Sequence, residues 1–264
     1  MGKLKIKSHM KSVMILSISA LLFACGARSN KQSADTVTES VALTAKQDSV
    51  DDQIISYIVD SNIQDLQFYW KDDSGEILGS IQNLKDYVES KGLTLIFAMN
   101  GGMFMEDLKP LGLFIQDKKI QKNINNATGN GNFYLKPNGI FYITTNNIPF
   151  VCQTSDFKIN DKIKYATQSG PMLVIDGQIH SAFKESSINL NIRNGVGILP
   201  NNKVIFAMSK EEINFYNFAR YFQRLGCKNA LYLDGVVSRT YLPEKKWVQT
   251  DGNFGVIIGV TKKS

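Results

Sequence analysis

Histidine is almost absent from this chain of 264 residues: there are two, and His9 falls in a segment that reads as a leader, which leaves His180. That scarcity excludes a histidine-rich zinc site. A Ser-His-Asp triad using His180 lacks the Gly-x-Ser-x-Gly elbow that would present its serine. His180 reads instead as a surface or hydrogen-bonded residue of a hairpin strand. No glycine-rich loop ends in Lys-Ser or Lys-Thr, so the phosphate cradle of the nucleotide-binding P-loop is missing too. Long apolar runs are equally lacking. The one candidate, Val13 to Ala24, is too short to span a bilayer with confidence.

That run follows Lys3, Lys5, Lys7 and Lys11, the layout of a secretory signal peptide. It ends in Leu22-Phe-Ala-Cys25-Gly26, a lipobox-like pattern with an apolar residue three before the cysteine and small residues on either side. The expectation is a lipoprotein signal over residues 1–24 and lipidation of Cys25, with several acyl chains giving stable anchoring. An ordinary cleaved signal is the alternative. The protein is thus expected to be exported and lipid-anchored in a bacterial envelope, touching the membrane through that anchor only. Subtracting the four leader lysines from the formal charge of +6 leaves +2, so basicity gives no argument for a nucleic-acid partner.

Residues 25–50 are rich in Ser, Thr, Lys, Gln and Asp without an apolar period and are expected to form a flexible tether. Residues 51–264 are long enough for one sizeable core. Cys152 and Cys227 would lie in a compartment that permits disulfides. Their spacing leaves pairing open.

Ile54-Ile-Ser-Tyr-Ile-Val59 and Leu66-Gln-Phe-Tyr-Trp70 are dense in β-branched and aromatic residues and read as strands. Turns are expected at Lys136-Pro-Asn-Gly139, between Phe133–Leu135 and Ile140–Ile143, and at Asp176-Gly177, where Asn-Gly and Asp-Gly supply positive φ. Leu199-Pro-Asn-Asn-Lys203 links two further strands. The fold class expected is α+β, a mostly antiparallel or mixed, curved sheet core with two main helices packed on it. One helix runs from Ile81 to about Ser90, with Ile81, Leu84 and Val88 inward and Gly92 closing it. The other starts at a capping-box pattern, Ser209-Lys-Glu-Glu212, and stops at Gly226. Each helix leads into a buried strand that ends in a polar residue plus glycine, Asn100-Gly-Gly102 and Asp234-Gly235. If those strands lie side by side, Asn100 and Asp234 emerge on one rim, where ligand chemistry tends to sit.

Asn100-Gly101-Gly102 offers a carboxamide and amides that can form an anion site, or an ordinary turn. The polar loop Asn125 to Asn132 could bind hydroxyls or merely cover surface. Ser169 and Gly170 can present a hydroxyl and an amide at a strand mouth. Arg193, ahead of Gly195-Val-Gly197, suits bidentate recognition of phosphate or carboxylate, with a surface salt bridge as the alternative. Asp234 follows Leu231 and Leu233, so it meets a partly desolvated edge that raises a carboxylate pKa. It is the best candidate for a catalytic carboxylate. Asp107, Asp176 and Asp251 show no metal-ligand spacing; no cofactor is expected, and a divalent cation is left open.

Taken in order, Phe97-Ala-Met-Asn-Gly-Gly-Met-Phe104, Ser169-Gly-Pro-Met-Leu-Val-Ile-Asp-Gly177, Arg193 with Gly195-Val-Gly-Ile198, and Tyr232-Leu-Asp-Gly235 with Ser238 resemble the phosphodiester glycosidase family. The resemblance implies hydrolysis of a bond between a sugar's anomeric carbon and phosphate, and a carbohydrate or sugar-phosphate substrate. It also implies roles: Arg193 and the Gly101 and Gly102 amides on phosphoryl oxygens, Asp234 at the oxocarbenium-like centre or on water, Asn100 and Ser238 on hydroxyls. The family commonly shows Asp-Gly-Gly-Gly-Ser where this chain has Asp234-Gly-Val-Val-Ser238, so the valines are expected to narrow ligand approach to the backbone. Arg239 and Tyr241 would then supply a cation and an aromatic face. A non-catalytic glycan-binding lipoprotein and a structural envelope protein are the competing readings.

Overall fold

The computed structural model describes residues 51–264; the expected leader, Cys25 and the tether to residue 50 lie outside the described residues. The elements in chain order are β1 (Ile54–Val59), β2 (Asp65–Tyr69), α1 (Ile81–Ser90), β3 (Leu93–Asn100), β4 (Phe114–Gln116) and β5 (Lys119–Lys122). Then come β6 (Gly139–Thr144), β7 (Pro149–Gln153), β8 (Ile163–Ser169), β9 (Met172–Ile175), β10 (Gln178–Ile179) and β11 (Asn194–Ile198). The chain ends with β12 (Val204–Ser209), α2 (Phe215–Arg224), β13 (Ala230–Asp234), β14 (Thr240–Leu242), β15 (Trp247–Val248) and β16 (Ile257–Lys263).

Three antiparallel sheets result, in strand orders β1-β12-β11-β13-β9-β10, β15-β14-β3-β16-β2 and β5-β4-β8-β6-β7. Their inner faces share one core, in which Phe68 and Phe97 of the second sheet meet Phe141 and Tyr165 of the third and Phe206 and Leu231 of the first. Alternation along each strand turns the other face outward, and a helix covers it on two of the sheets. Helix α1 lays Ile81, Leu84 and Val88 against Leu95, Ala98 and Ile257. Helix α2 lays Phe215, Phe218 and Phe222 against Ala207, Leu173 and Tyr232. The second contact is close because β11 carries glycine there: a Cβ at Gly195 would lie 2.8 Å from the Leu231 carbonyl, and one at Gly197 2.8 Å from Cys227 Sγ.

The first helix is as expected, capped by Ser80, whose side chain accepts from the Asn83 amide. The second starts later than expected. Ser209 is the last residue of β12 and pairs with Ile54, and its hydroxyl accepts from the Arg193 amide at 3.0 Å. Asn214 is the true cap, accepting from the Asn217 amide at 2.9 Å. Asp176-Gly177 forms the expected hairpin turn, with both residues at positive φ. Lys136–Gly139 does not join two strands of a hairpin: Asn132–Tyr134 form a single 3-10 turn, and Asn138 Nδ2 donates back to the Phe133 carbonyl at 3.0 Å, closing a compact loop. Strand β6 pairs with β7 and β8 instead. Cys152 and Cys227 are free thiols. Burial pushes them up to about 11 and about 12, so both are protonated at neutral pH.

Candidate active site

Strands β3 and β13 belong to different sheets, so Asn100 and Asp234 do not reach one rim as neighbouring strands. They meet across sheets: Asn100 Nδ2 donates to Asp234 Oδ2 at 2.9 Å. A β-bulge makes this possible. Asn194 pairs with Asp234 while the next residue, Gly195, pairs with Tyr232, leaving Leu233 without a ladder partner. Such an insertion re-aims the residue beside it. The Ser169 hydroxyl donates to the Leu233 carbonyl at 2.7 Å and so satisfies the group the bulge frees.

Asn100 is fully buried, and its orientation is dictated by what approaches it. Its Oδ1 accepts from Asn194 Nδ2 at 2.9 Å and from the Arg239 amide at 3.0 Å, so its amino group must face Asp234. Asp234 is 9 % exposed, and its Oδ1 accepts from the Gly235 amide at 2.8 Å. Burial pushes its carboxyl up to about 6, and the Gly235 amide and Asn100 only partly offset it. A buried carboxyl in this range exchanges protons near neutrality, as a catalytic base or acid must.

Two shielded polar atoms lie near this carboxyl without a well-aligned hydrogen-bond partner among the described residues. One is Asn194 Oδ1, an acceptor; the other is the Tyr232 hydroxyl, which the Arg193 guanidinium and Asn132 approach. Buried polar atoms are nearly always paired, so orphans beside a carboxylate mark places where a ligand group completes the set. Burial raises the Tyr232 pKa while the Arg193 charge partly lowers it, and the phenol is a donor. A Cβ at Gly235 would lie 2.4 Å from that hydroxyl, so only glycine lets the turn after Asp234 approach it. Sequence reasoning assigned neither residue a role. Asn194 stands beside Arg193, and strand alternation sends the two side chains to opposite faces; that alternation was the available signal.

Arg193 is fully buried. Its Nε donates to the Ile213 carbonyl at 2.7 Å and Nη2 to Asn189 O at 2.9 Å and Oδ1 at 3.0 Å, and its guanidinium lies 3.6 Å from the Phe215 ring centre. Its bonds thus go to neutral oxygens, and burial pulls its pKa down. A cation in this position is offset by no carboxylate in contact among the described residues. It neighbours Tyr232, which in turn neighbours the Asp234-Gly235 turn. Arg193 is therefore a buried cation, not the surface salt bridge that was the alternative reading.

Other expected site residues serve the scaffold. The Gly101 amide donates to the Val256 carbonyl at 2.8 Å, and the Gly101 carbonyl accepts from the Thr167 hydroxyl at 2.9 Å, so that amide is not free to bind phosphate. Gly102 packs on the same hydroxyl, 2.7 Å from where its Cβ would be, and its amide makes no hydrogen bond among the described residues. Gly170 packs on Asn138, leaving no room for a side chain. The Ser238 amide and hydroxyl both donate to the Gly235 carbonyl and tie the turn together. Arg239 reaches the site through its amide alone, because its side chain is paired with Asp251 at 2.9 Å. Tyr241 packs into the α1 cluster, away from Asp234, because its strand position faces that helix. Val236 and Val237 form the tip of the turn that follows Asp234-Gly235, 72 % and 40 % exposed. His180 is buried; its Nδ1 accepts from the Ala182 amide and Nε2 faces the Lys136 carbonyl. Burial lowers its pKa, so it is neutral. In the polar loop, Asn125 exchanges two 2.9 Å bonds with Gln168, and Asn132 approaches the Tyr232 hydroxyl. Among the described residues no three His, Cys, Asp or Glu side chains are placed to hold a metal ion.

A sequence model of one family, described as phosphodiester glycosidase, matches residues 94–258. That span contains Asn100, Arg193, Asn194, Tyr232 and Asp234. The chain is 36 % identical over 188 residues to the uncharacterized protein YigE of Escherichia coli K12, covering 71 % of this chain and 73 % of that one. Among solved structures it resembles a candidate exported protein of Burkholderia pseudomallei, with TM-score 0.53 and 10 % identity over 89 % of this chain and 82 % of that one. It also resembles the zebrafish N-acetylglucosamine-1-phosphodiester α-N-acetylglucosaminidase catalytic domain auto-inhibited by its pro-peptide, with TM-score 0.49 and 16 % identity, covering 79 % and 88 %.

Proposed function

Because the chain belongs to the phosphodiester glycosidase family, we propose that it hydrolyses the bond between a sugar's anomeric carbon and phosphate in a glycosyl phosphodiester. The observation that carries this reading is the Asp234 carboxyl, held by Asn100, pushed by burial up to about 6, with the shielded acceptor Asn194 Oδ1 and the Tyr232 hydroxyl nearby. In the reaction the anomeric C–O bond breaks, and its electron pair leaves on the phosphate. Water adds to the anomeric carbon and gives up a proton to the Asp234 carboxylate. The products are the free sugar and a phosphomonoester. Phosphate is a good leaving group without prior protonation, so one carboxylate and a set of donors suffice. The Tyr232 hydroxyl, polarised by the neighbouring Arg193, donates to the developing phosphate charge. Asn194 Oδ1 accepts from a sugar hydroxyl.

The test is a panel of glycosyl-1-phosphodiesters of both anomers incubated with the purified protein. Release of free sugar and phosphomonoester is expected. Saturable binding of the panel without release would instead favour a glycan-binding protein, and no binding at all a structural one.

The leader pattern ending in Cys25 supports action at the envelope, on a glycan that reaches the tethered domain. Cys25→Ala is expected to move the exported protein from the membrane to the soluble fraction. Unchanged partition would remove lipidation from this account.

A further inference from the structure

The Ser169-Gly170-Pro171 segment stands at a strand mouth, as its sequence suggests, but the serine is turned inward. Ser169 is fully buried at the end of β8, where it pairs with Gly139 of β6. Strand β13 pairs with β9 at Ala230 and Leu231 alone, so beyond Leu231 that side of β13 has no ladder partner. The link from β8 to β9 takes its place. The Pro171 carbonyl accepts from the Tyr232 amide at 3.1 Å, and the Ser169 hydroxyl donates to the Leu233 carbonyl at 2.7 Å. Two successive residues of β13 are thereby held just ahead of Asp234.

The bulge leaves Leu233 outside the ladder with β11, and Pro171, lying along the same stretch, has no N–H to offer the Leu233 carbonyl. The serine hydroxyl supplies the missing donor. We propose that Ser169 is a positioning residue: its hydroxyl holds the Leu233 bulge and so keeps the Asp234 carboxyl against Asn100, without touching a ligand itself. Without that donor the buried carbonyl is left unsatisfied, a cost that favours rearrangement of the chain around it. The regular register relieves it by drawing Leu233 into the ladder, and a slip of one residue sends the side chains beyond it to the other face. Asp234 is the next residue. Among the described residues no charge in contact holds the carboxyl in place instead. Asn100 of β3 and Asn194 of β11 are neutral, Tyr232 of its own strand keeps its proton, and Arg193 of β11 lies beyond the Tyr232 ring.

The test compares Ser169→Ala with Ser61→Ala. Ser61 is also buried, and its hydroxyl also donates to a main-chain carbonyl, that of Asn147 at 2.6 Å. It follows the far end of β1, where Val59 pairs with Val204, whereas Asn194 pairs with Met208. Both variants lose one buried hydrogen bond and should unfold at lower urea concentration. Only Ser169→Ala is expected to disturb Asp234. Its turnover of a glycosyl phosphodiester should fall about 10²-fold with KM little changed, the scale for a misplacement on the order of 1 Å. The acid limb of its rate should move down from about 6 toward the ordinary 3.8, because a released carboxyl regains solvent. These rates rest on the proposed hydrolysis; a second measurement does not. Urea unfolding from pH 4 to pH 7 gives the stability that Asp234→Asn gains as pH rises, and in the Ser169→Ala background that gain should shrink by about half or more. If Ser169→Ala does not fold, Ser169→Cys fills the position with a weaker donor and should show the same shifts in smaller measure. An acid limb and a pH-dependent gain that both keep their wild-type values, with stability lowered as in Ser61→Ala, would reduce Ser169 to a scaffold residue and overturn the proposal. Should no diester be cleaved, the hydrolase reading fails while the unfolding series still decides the part played by Ser169.

Discussion

Asp234→Asn is expected to lower turnover of a glycosyl phosphodiester by about 10²–10⁴-fold, the range for loss of a positioned acid or base. The side chain keeps its size, so the fold should persist, but an amide neither takes a proton from water nor carries the negative charge that steadies an oxocarbenium-like centre. The hydrogen bonds give a further reason for a large effect. Asn100 Oδ1 is held by Asn194 and the Arg239 amide, so Asn100 continues to present its amino group to position 234. An asparagine there can retain its acceptor for the Gly235 amide only by turning its own amino group toward that of Asn100. With wild-type protein the rate should fall as pH drops through about 6, where Asp234 takes up its proton. Initial rates with matched circular dichroism spectra make the check. A variant within a factor of about two of wild type would show that proton transfer at Asp234 is not required.

The same carboxyl should leave a mark on stability that is independent of any substrate. In the unfolded chain an aspartate titrates near 3.8, and in this fold burial moves Asp234 up to about 6. Between those values the folded protein keeps a proton that the unfolded chain releases, so raising the pH through the window lowers stability. The penalty is absent below about 4 and complete above about 6, reaching on the order of 3 kcal/mol. Asp234→Asn cannot titrate and should lack this slope. Urea unfolding of both proteins from pH 4 to pH 7 isolates the effect, since other groups cancel in the difference. The variant should gain on wild type steadily as pH rises through the window. A difference that stays flat would show that Asp234 has an ordinary pKa in the folded state, and its assignment as a poised base would go with it.

That destabilising charge has an identifiable source. The bulge at Leu233 turns Asp234 into a closed environment, and among the described residues two donors meet the carboxyl. Local stability is commonly sacrificed where a site holds a group ready for chemistry. Arg193 follows the same logic, buried against Phe215 with carbonyl partners rather than a carboxylate.

Much of the scaffold was legible from residue pattern alone. Helix α1 could be read from Ile81 to about Ser90, because its i, i+3, i+7 apolar spacing and its closing glycine are local. The Asp176-Gly177 turn was legible for the same reason, since positive φ at those positions is a property of two residues. The start of α2 was not, because Ser209-Lys-Glu-Glu212 carries a genuine capping pattern that loses to pairing with Ile54 and to the bond from the Arg193 amide. A local signal gave way to two long-range ones. Asn100, Arg193 and Asp234 could be picked out as polar residues at strand ends. Their relations could not, since β3 and β13 lie in separate sheets and meet only through packing of those sheets. Alternation beside Arg193 could have pointed to Asn194, but its part in the site and that of Tyr232 could not be read, because both rest on a polar atom being shielded and shielding is a property of the assembled core. The sequence by itself determined the kinds of element, the turns and the residues able to do chemistry, because these follow from backbone sterics and periodicity. Only the tertiary structure decided which polar groups share a low-dielectric pocket, because desolvation depends on atoms distant in the chain.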